Sequence, residues 1–146
     1  MNDSHKIDKL NKEDYYKSFL QLLEQLTTVE ANEISYNDFC KRFDEMNSQV
    51  FVIRNLSQNK IIATSSVLIE KKFIHKLSSV GHIEDVVVDK EYRNNGLGKL
   101  LIDYCIKYAI DIGCYKVILN CSEDNLKFYK KCGFKQKNVE MSYYKN

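Results

Sequence analysis

The spacing of apolar residues in the first third of the chain predicts two helices. Apolar residues recur at three- and four-residue steps between Asn11 and about Leu26, as on the buried face of a helix. Ser35 is followed three residues later by Asp38, a pair that resembles a capping box and predicts the start of a second helix. Residues 1–10 are polar, so we expect them to be frayed and flexible. Both predicted helices precede the strands.

Runs of β-branched and aromatic residues predict three strands in the middle of the chain. Residues 50–54 and about 60–69 are two such runs, and the polar turn between them predicts a hairpin. Residues 70–79 mix lysines with apolar residues, and we expect a mobile loop or an extension of the preceding strand. The central strand begins at Gly81 and ends in the valines at 86–88, a run expected of a strand covered on both faces.

After these valines the spacing of apolar residues changes from that of a strand to that of a helix. The helical spacing continues to about residue 112, and Gly113 stands where a left-handed helix cap belongs. Residues 115–119 return as a strand, which completes a β-α-β unit. A short helix closed by Gly133 follows, and a last strand is predicted from about residue 134 or 139 to 144.

The order of these elements predicts an α/β (α+β) fold with a mixed, mostly antiparallel sheet. The 146 residues, 44% of them hydrophobic, can bury one substantial core, so residues 1–146 are predicted to form a single domain. The net charge of +2 is spread along the chain, which argues against nucleic acid as a partner. The chain has no apolar run of membrane-spanning or signal-peptide type, so we expect a cytoplasmic protein without membrane insertion.

The five cysteines and three histidines show no pattern of a metal site or a nucleophilic site. The cysteines are odd in number and lack Cys-x-x-Cys spacing, which indicates reduced core thiols. A catalytic cysteine would need a neighbouring base, and none of the histidines has a recognisable partner in the sequence. Metal-ligand spacing is also lacking, so no metal cofactor is expected.

Gly96 and Gly98 stand at the change from strand to helix, where they predict an anion-binding site. The first amides of a helix lack partners within the helix, and the helix dipole favours negative charge there. Glycine lets the backbone approach a pyrophosphate, and Arg93 and Lys99 add positive charge nearby. The spacing Arg-x-x-Gly-x-Gly differs from the motifs of dinucleotide folds and P-loops. An ordinary polar turn is the alternative interpretation.

This spacing resembles the acetyl-CoA pyrophosphate loop of the GCN5-related N-acetyltransferases, and the order of predicted elements is similar to the fold of that superfamily. Longer strings resemble a narrower family within it, the eukaryotic glucosamine-6-phosphate N-acetyltransferases. The strings are Leu26-Thr27-Thr28-Val29, Gly81-His82-Ile83-Glu84-Asp85, Gly96-Leu97-Gly98-Lys99-Leu100-Leu101, Gly113-Cys114-Tyr115-Lys116 and the run from Asn125 to Phe134.

The resemblance implies transfer of acetyl from acetyl-CoA to the 2-amine of glucosamine 6-phosphate, a step toward UDP-N-acetylglucosamine. It also implies direct attack within a ternary complex, a homodimer and no metal. General chemistry agrees with such a reaction, because an ammonium must lose a proton before its nitrogen attacks a thioester. The developing oxyanion and the departing thiolate must also be stabilised.

The resemblance further implies roles for individual residues. Glu84 and Asp85 are expected near the acceptor amine and Tyr129 near the thioester sulfur, and these three are the expected catalytic residues. The expected acetyl-CoA contacts are Val86, Val87, Val88, Arg93, Asn94, Asn95, Gly96, Leu97, Gly98, Lys99, Asn125 and Tyr129. The expected substrate-binding residues are Thr27, Lys72, His75, Glu84, Asp85, Asn120, Cys121, Tyr144 and Lys145.

Two positions depart from the pattern of those enzymes. Asn120 stands where an acidic residue is expected, at the end of the strand after the long helix. Tyr144 stands where an arginine of the partner subunit would meet the substrate phosphate. An N-acetyltransferase for another amine, such as a protein N-terminus, a polyamine or an amino acid, is therefore an alternative. A module that binds acetyl-CoA without turnover is another, since fold does not fix function.

Overall fold

A five-stranded sheet forms the centre of the structure, a computed structural model that describes residues 3–146. Its strands are β1 (His5–Lys9), β2 (Ser48–Asn55), β3 (Lys60–Lys71), β4 (Ser79–Val88) and β5 (Cys114–Ile118), and they lie side by side in chain order. The first four pair antiparallel, whereas β5 runs parallel to β4. The predicted mixed, mostly antiparallel sheet is confirmed.

Helices cover both faces of this sheet. They are α1 (Phe19–Leu23), α2 (Tyr36–Glu45), α4 (Leu97–Ile112) and α5 (Leu126–Lys131), whereas α3 (Ile74–Leu77) is a single exposed turn between β3 and β4. Short 3₁₀ turns lie at Lys12–Lys17, Ala31–Glu33, Lys90–Tyr92 and Glu123–Asn125. One core contains Leu22 of α1 and Phe39 of α2, packed against Val52 of β2. The other contains Leu101 and Ile102 of α4 on the opposite face of the sheet.

The first strand corrects the prediction that residues 1–10 are frayed. Residues His5–Lys9 form β1, which pairs with β2 from His5 opposite Asn55 to Lys9 opposite Phe51. Few of these residues are apolar, but pairing with a buried strand supplies partners for their backbone groups. Such pairing depends on residues some fifty positions away, so local composition does not indicate it. Residues 1 and 2 of the predicted segment lie outside the described residues.

The single helix predicted from Asn11 to Leu26 is also wrong in part. The chain instead forms the 3₁₀ turn Lys12–Lys17 and then α1, with Ser18 between them in a left-handed conformation at φ 64°. The break accompanies the inward position of Asp14, which is fully buried. A continuous helix would bury the same apolar residues. The observed turn buries them and in addition places the carboxylate of Asp14 against a buried arginine.

Asp14 and Arg54 form a buried, bidentate ion pair between the 3₁₀ turn and β2. The Nε and Nη2 atoms of Arg54 donate to the two carboxylate oxygens of Asp14 at 3.0 and 2.8 Å. Arg54 Nη1 donates to Asp8 in β1 at 3.0 Å, and the N–H of Asn11 donates to Asp14 at 2.8 Å. These bonds raise the pKa of Arg54, chiefly through the hydrogen bonds that it donates to Asp14. The pair therefore joins β1, the first turn and β2.

Several predictions for the middle of the chain are confirmed. Ser35 is the N-cap of α2, and its Oγ accepts a hydrogen bond from the N–H of Asp38 at 3.1 Å. β2 and β3 form the predicted hairpin. Of the two possibilities for residues 70–79, strand extension holds in part, since β3 continues to Lys71 and β4 begins at Ser79. The connecting turn contains His75 and Lys76 in left-handed conformations.

The predicted β-α-β unit is confirmed, and a glycine determines how closely it packs. A Cβ atom on Gly81 of β4 would lie 2.9 Å from the Cβ of Ala109 in α4, closer than side chains tolerate. The absence of a side chain therefore lets α4 lie directly on β4. Gly113 ends α4 in the predicted left-handed conformation, at φ 113°.

The predicted last strand is wrong for this chain. Residues 134–146 form no strand or helix in the described part of the chain. Val139, Met141, Tyr143 and Tyr144 are each more than 80% exposed. The alternating apolar pattern is present, but a strand needs a neighbouring strand for its backbone groups, and the sheet ends at β5. We refer to residues 135–146 as the tail.

The cysteines are free thiols in the part of the chain that the structure describes. Cys105 and Cys114 are buried, and Cys40 and Cys132 are partly buried. Cys121 is exposed, so the prediction of a core thiol is wrong there. Burial raises the pKa of Cys105 to about 11, which makes its thiol unreactive at neutral pH. No helix within residues 3–146 has the length and apolar character needed to cross a membrane.

We expect Asp14→Asn to lower the free energy of unfolding by about 3 kcal/mol, because it leaves the buried guanidinium of Arg54 without its main counter-charge. Urea unfolding followed by circular dichroism measures this. Lys12→Ala is the control, since its ion pair with Asp44 is exposed and should contribute little to stability. Equal stabilities of Asp14→Asn and the parent would show that the pair does not organise the N-terminal region.

Candidate active site

The two parallel strands β4 and β5 separate partway along their length. Their pairing runs from Ser79 opposite Cys114 to His82 opposite Ile118 and then ends. Beyond His82, β4 continues to Val88 with β3 on one side and, among the described residues, no strand on the other. The structure thus opens a gap beside the last residues of β4, where backbone groups are accessible to a bound molecule.

A β-bulge lies in β4 at the start of this gap. Glu84 pairs with Ser66 and Val87 with Thr64, so Asp85 and Val86 together face the single residue Ser65. Asp85 adopts a left-handed conformation at φ 53°. Aspartate tolerates this conformation better than most residues, which explains how the acidic pair can lie within a strand. The bulge bends the strand and turns its backbone toward the gap.

The predicted acetyl-CoA contacts in β4 are limited to the backbone. The side chain of Val87 is buried in the core formed with α1 and α2. The side chains of Val86 and Val88 pack on the opposite core, against α4. Since all three side chains face the cores, the residues present only their N–H and C=O groups to the gap. Contact of these backbone groups with acetyl-CoA stays a prediction.

The loop between β4 and α4 begins at a buried aspartate. Asp89 is 3% exposed, its Oδ1 accepts from the N–H of Glu91 at 3.0 Å, and its Oδ2 lies 3.2 Å from Nζ of Lys60. Burial acts to raise the pKa of this carboxyl, but the N–H of Glu91 and the ammonium of Lys60 outweigh it and lower the pKa. The loop therefore starts from a fixed point at the end of β4.

The rest of the loop leads into the first turn of α4. Asn94 and Gly96 adopt left-handed conformations at φ 66° and 77°. Arg93 Nε donates to the carbonyl oxygen of Val88 at 3.0 Å, and Asn95 Nδ2 donates to the carbonyl oxygen of Tyr92 at 3.2 Å. These bonds close the turn on itself. Arg93 therefore has a structural contact in addition to its charge.

Gly96 and Gly98 are required for different reasons, one for its backbone conformation and the other for close packing. A Cβ on Gly96 would meet no atom within 4 Å, so its positive φ is what requires glycine there. A Cβ on Gly98 would lie 3.1 Å from Cζ of Phe128 in α5. Sequence analysis assigned Gly98 only to close approach of an anion, and the structure adds that it lets α5 pack against the start of α4.

The side chains of Leu97 and Lys99 have different surroundings at this helix start. Leu97 is buried in the core, so only its backbone is available to a ligand. Lys99 is exposed, and its Nζ lies 2.7 Å from a carboxylate oxygen of Asp103 one turn later. The hydrogen bond that Lys99 donates to Asp103 raises the pKa of Lys99, and the carboxylate offsets part of its charge. The amides of the first turn and Arg93 supply the rest of the positive potential.

Tyr129 of α5 lies in the core beside α4, with 9% of its surface exposed. Its ring packs edge-on against Phe128 and Phe134, with centroids 4.9 and 6.0 Å away. Burial, with smaller contributions from the thiols of Cys121 and Cys132, raises the pKa of Tyr129 to about 12. The phenol is therefore protonated at neutral pH and can donate its proton in a hydrogen bond. Asn125, which precedes α5, is exposed.

The acidic pair is exposed at the bulge and borders a cavity. Glu84 and Asp85 are both exposed, and Ser66 Oγ donates to the carbonyl oxygen of Glu84 at 3.2 Å. Asp85 also lines a mainly apolar cavity of about 370 Å³ between α1, α2 and the sheet. Thr27 is exposed in the chain that follows α1. This segment approaches the end of β4, since Gln25 Oε1 accepts from the N–H of Lys90 at 2.9 Å.

The predicted cations Lys72 and His75 are both in contact with other side chains. Lys72 Nζ lies 3.2 Å from Glu70, whose other carboxylate oxygen lies 2.8 Å from Nε2 of His82. These contacts, first that with His82 and then that with Lys72, lower the pKa of Glu70. The ring of His75 packs on Tyr115 with centroids 4.2 Å apart. Glu70 is the partner that sequence analysis missed, and its position two residues before Lys72, at the end of β3, is the signal that could have indicated it.

The remaining predicted substrate-binding residues lie at the end of β5 and in the tail. Asn120 and Cys121 follow β5 and are exposed. Asn120 Nδ2 donates to a carboxylate oxygen of Glu140 at 2.9 Å. Tyr144 and Lys145 are exposed, and among the described residues neither forms a hydrogen bond or ion pair with the acidic pair. Glu140 is a second residue that sequence analysis missed. Within residues 3–146, no three His, Cys, Asp or Glu side chains form a group that could hold a metal ion.

Comparison with known proteins gives one consistent answer. The sequence profile described as "Acetyltransferase (GNAT) family" matches residues 10–134. Glucosamine 6-phosphate N-acetyltransferase of Arabidopsis thaliana is 42% identical, and the match covers 99% of each sequence. The protein of the same name from Candida albicans is 42% identical over 91% of each sequence. The crystal structure of the Arabidopsis thaliana enzyme superposes with a TM-score of 0.94 at 41% identity and covers 99% of this chain and 100% of that one.

These matches include the strand with the acidic pair, the loop with the two glycines and the long helix that follows. The family assignment therefore agrees with the resemblance seen in the sequence and with the observed order of strands and helices. The chain belongs to the GNAT family of acetyltransferases.

Proposed function

We propose that this chain transfers acetyl from acetyl-CoA to the 2-amine of glucosamine 6-phosphate by direct attack in a ternary complex. The observation that carries the proposal is the position of the exposed Glu84 and Asp85 at the bulge, where the gap beside β4 begins. In this position the two carboxylates can hold the acceptor amine next to the thioester of an acetyl-CoA bound in the gap. The names of the relatives supply the particular amine. The reaction is a step toward UDP-N-acetylglucosamine in the cytoplasm.

The residues beside the gap fit acetyl-CoA. The acetyl-CoA supplies an activated acetyl thioester when it binds. The free edge of β4 after His82 offers N–H and C=O groups to its amide-containing arm, as an added strand would. The loop from Arg93 to Lys99 offers helix-start amides and two cations to its pyrophosphate. Asn125 lies at the start of α5, which packs against Gly98 in that same loop.

Tyr129 supports the departure of the thiolate. Its raised pKa of about 12 makes the phenol a hydrogen-bond donor across the physiological range. A donor is what a sulfur needs as it gains negative charge when the carbon–sulfur bond breaks. The packing of its ring against Phe128 and Phe134 fixes the direction of the hydroxyl. Tyr129 therefore acts mainly in the transition state.

Glu84 and Asp85 provide the negative charge for the acceptor. Two carboxylates favour the positively charged acceptor amine over neutral hydroxyl compounds. The ammonium must lose a proton before attack, and both Glu84 and a water chain to backbone carbonyls are routes for it. We also assign Thr27 and Cys121 to the acceptor site, on either side of the acidic pair.

The phosphate of the sugar needs positive charge and hydrogen-bond donors around it. Four residues are proposed to supply these, three as cations and one through its hydroxyl. They are Lys72, His75, Tyr144 and Lys145. Lys72 is already paired with Glu70, so binding a phosphate there requires exchange of one anion for another. Lysine binds phosphate as a point charge where arginine would form a planar fork. Binding is therefore looser than arginine would provide.

The proposal includes a homodimer in which the tail of each chain packs on the other. Val139, Met141 and Tyr143 are exposed at alternate positions, as on one face of a strand. A second copy would cover this apolar face and supply backbone partners for the tail. The same contact would bring Tyr144 and Lys145 toward the acceptor site of the neighbouring subunit.

We expect thiol release from acetyl-CoA to be fast with glucosamine 6-phosphate and at least tenfold slower with glucosamine, since only the former has the phosphate that the lysines bind. A panel with spermidine, amino acids and a peptide N-terminus tests other acceptors. Lys72→Ala should raise KM for glucosamine 6-phosphate and leave KM for acetyl-CoA unchanged. Equal rates with and without the phosphate would move the function to a general amine acetyltransferase. Acetyl-CoA binding without thiol release for any amine would indicate a sensor.

We expect Tyr129→Phe to lower kcat by about ten- to a thousandfold with little change in KM for acetyl-CoA, because the hydroxyl acts mainly in the transition state. Tyr104→Phe is the matched control, since it removes a phenol oxygen from the half-exposed face of α4. Steady-state kinetics with both substrates measures this. An unchanged kcat, under conditions where chemistry limits the rate, would remove Tyr129 from the mechanism.

We expect light scattering at micromolar concentration to give twice the chain mass of 17.2 kDa. Met141→Glu with Tyr143→Glu should give the monomer, because charges on the apolar face of the tail oppose its burial. Leu56→Glu, in the exposed turn between β2 and β3, is the control and should leave the mass unchanged. A monomeric parent would contradict the dimer.

A further inference from the structure

One hydrogen bond connects the tail to the end of β5. Asn120 Nδ2 donates to Oε1 of Glu140 at 2.9 Å, between residues that are twenty positions apart. Among the described residues, it is the one hydrogen bond or ion pair that the tail makes. A single polar contact in an otherwise exposed segment places the Glu140 carboxylate at a defined position. The other carboxylate oxygen, Oε2, has no such partner there.

The register of the sheet relates this carboxylate to the acidic pair. Lys116 pairs with Val80, Val117 with Gly81 and Ile118 with His82. Beyond this last pair, Asn120 follows Ile118 by two residues, as Glu84 follows His82, so each lies two residues past the point where β4 and β5 separate. Glu140 is therefore bound to the residue on the β5 side that has the same offset from this point as Glu84 has on β4.

The chemistry of the two side chains divides their roles. The amide of Asn120 is neutral, so it adds no charge for a cationic acceptor and its N–H donates to Glu140. Glu140 carries the negative charge and retains free lone pairs to accept hydrogen bonds from an ammonium or a hydroxyl. A charge-assisted bond of this kind is stronger than a neutral one. The pair thus supplies a carboxylate on the β5 side of the gap, where β5 itself ends in an amide.

We propose that Glu140, oriented by Asn120, is a substrate-binding carboxylate that contacts the ammonium or a neighbouring hydroxyl of the acceptor. Asn120 is then a positioning residue and not a direct source of charge. This inference rests on the proposed transfer of acetyl to an amino sugar. It assigns to the tail a role in the acceptor site of its own chain, separate from the proposed contact with a second subunit.

The test exchanges the carboxylate of Glu140 and the amide of Asn120. Glu140→Gln keeps the size of the side chain and removes its charge, and we expect it to raise KM for glucosamine 6-phosphate by about ten- to a hundredfold. KM for acetyl-CoA and the melting temperature should remain near those of the parent. Asn120→Asp in the Glu140→Gln background restores one carboxylate and one amide with donor and acceptor reversed. This double variant should return KM to within about threefold of the parent.

Glu33→Gln is the matched control, since it removes an exposed glutamate charge at Ala31–Glu33, far along the chain from the tail. It should leave both KM values unchanged. An unaltered KM in Glu140→Gln, or a raised KM that Asn120→Asp does not reverse, would overturn the assignment of Glu140. Failure of the parent to acetylate glucosamine 6-phosphate would instead overturn the proposed function. The two failures are therefore distinguished by the activity of the parent.

Discussion

Backbone groups at the edge of a strand require partners, and β4 loses its partner on one side at His82. The separation from β5 is the constraint on which the site depends. Gly81 lets α4 lie against the paired half of β4, and the bulge at Asp85 bends the unpaired half. A straight, fully paired β4 would leave no edge for a pantetheine arm and would direct the acidic residues elsewhere. The core on each side of the sheet keeps the gap open, because the three valines pack into both cores.

The charges around the gap are arranged in two groups. Cations and helix-start amides lie at the loop before α4, where a pyrophosphate would bind, whereas carboxylates lie at the bulge and at the end of β5. Such a separation suits a reaction between an anionic donor and an ammonium acceptor, since each is attracted to a different end of the gap. Lys72 and Glu70 neutralise each other outside it, so a substrate phosphate must compete with a carboxylate for that lysine.

The tail connects two features that appear independent in the sequence. Its apolar side chains are exposed at alternate positions, which suits burial against a second chain. Its carboxylate at Glu140 is bound to Asn120. The two contacts use different side chains, so the tail can serve assembly through its apolar face and substrate binding through Glu140.

Local patterns in the sequence determined much of this fold and of the donor site. The cap at Ser35, the hairpin, the helix that begins near Gly98 and ends at Gly113, and the glycine loop all depend on residues within a few positions of one another. Their assignments to helix, strand or turn were therefore predictable. The resemblance to known acetyltransferases also rests on these contiguous strings. The fold class and the conformation of the glycine loop follow from such local information.

Only the tertiary structure decided the features that depend on distant residues. β1 exists because β2 supplies its partners, and the first helix breaks because Asp14 meets Arg54 forty residues later. The tail forms no strand because no strand lies beside it, although its pattern predicts one. The contact of Asn120 with Glu140 could not be found by spacing, since no local pattern pairs two side chains that are twenty positions apart. The spacing of apolar residues indicates the local secondary structure, whereas the packing of the whole chain determines which distant side chains are in contact.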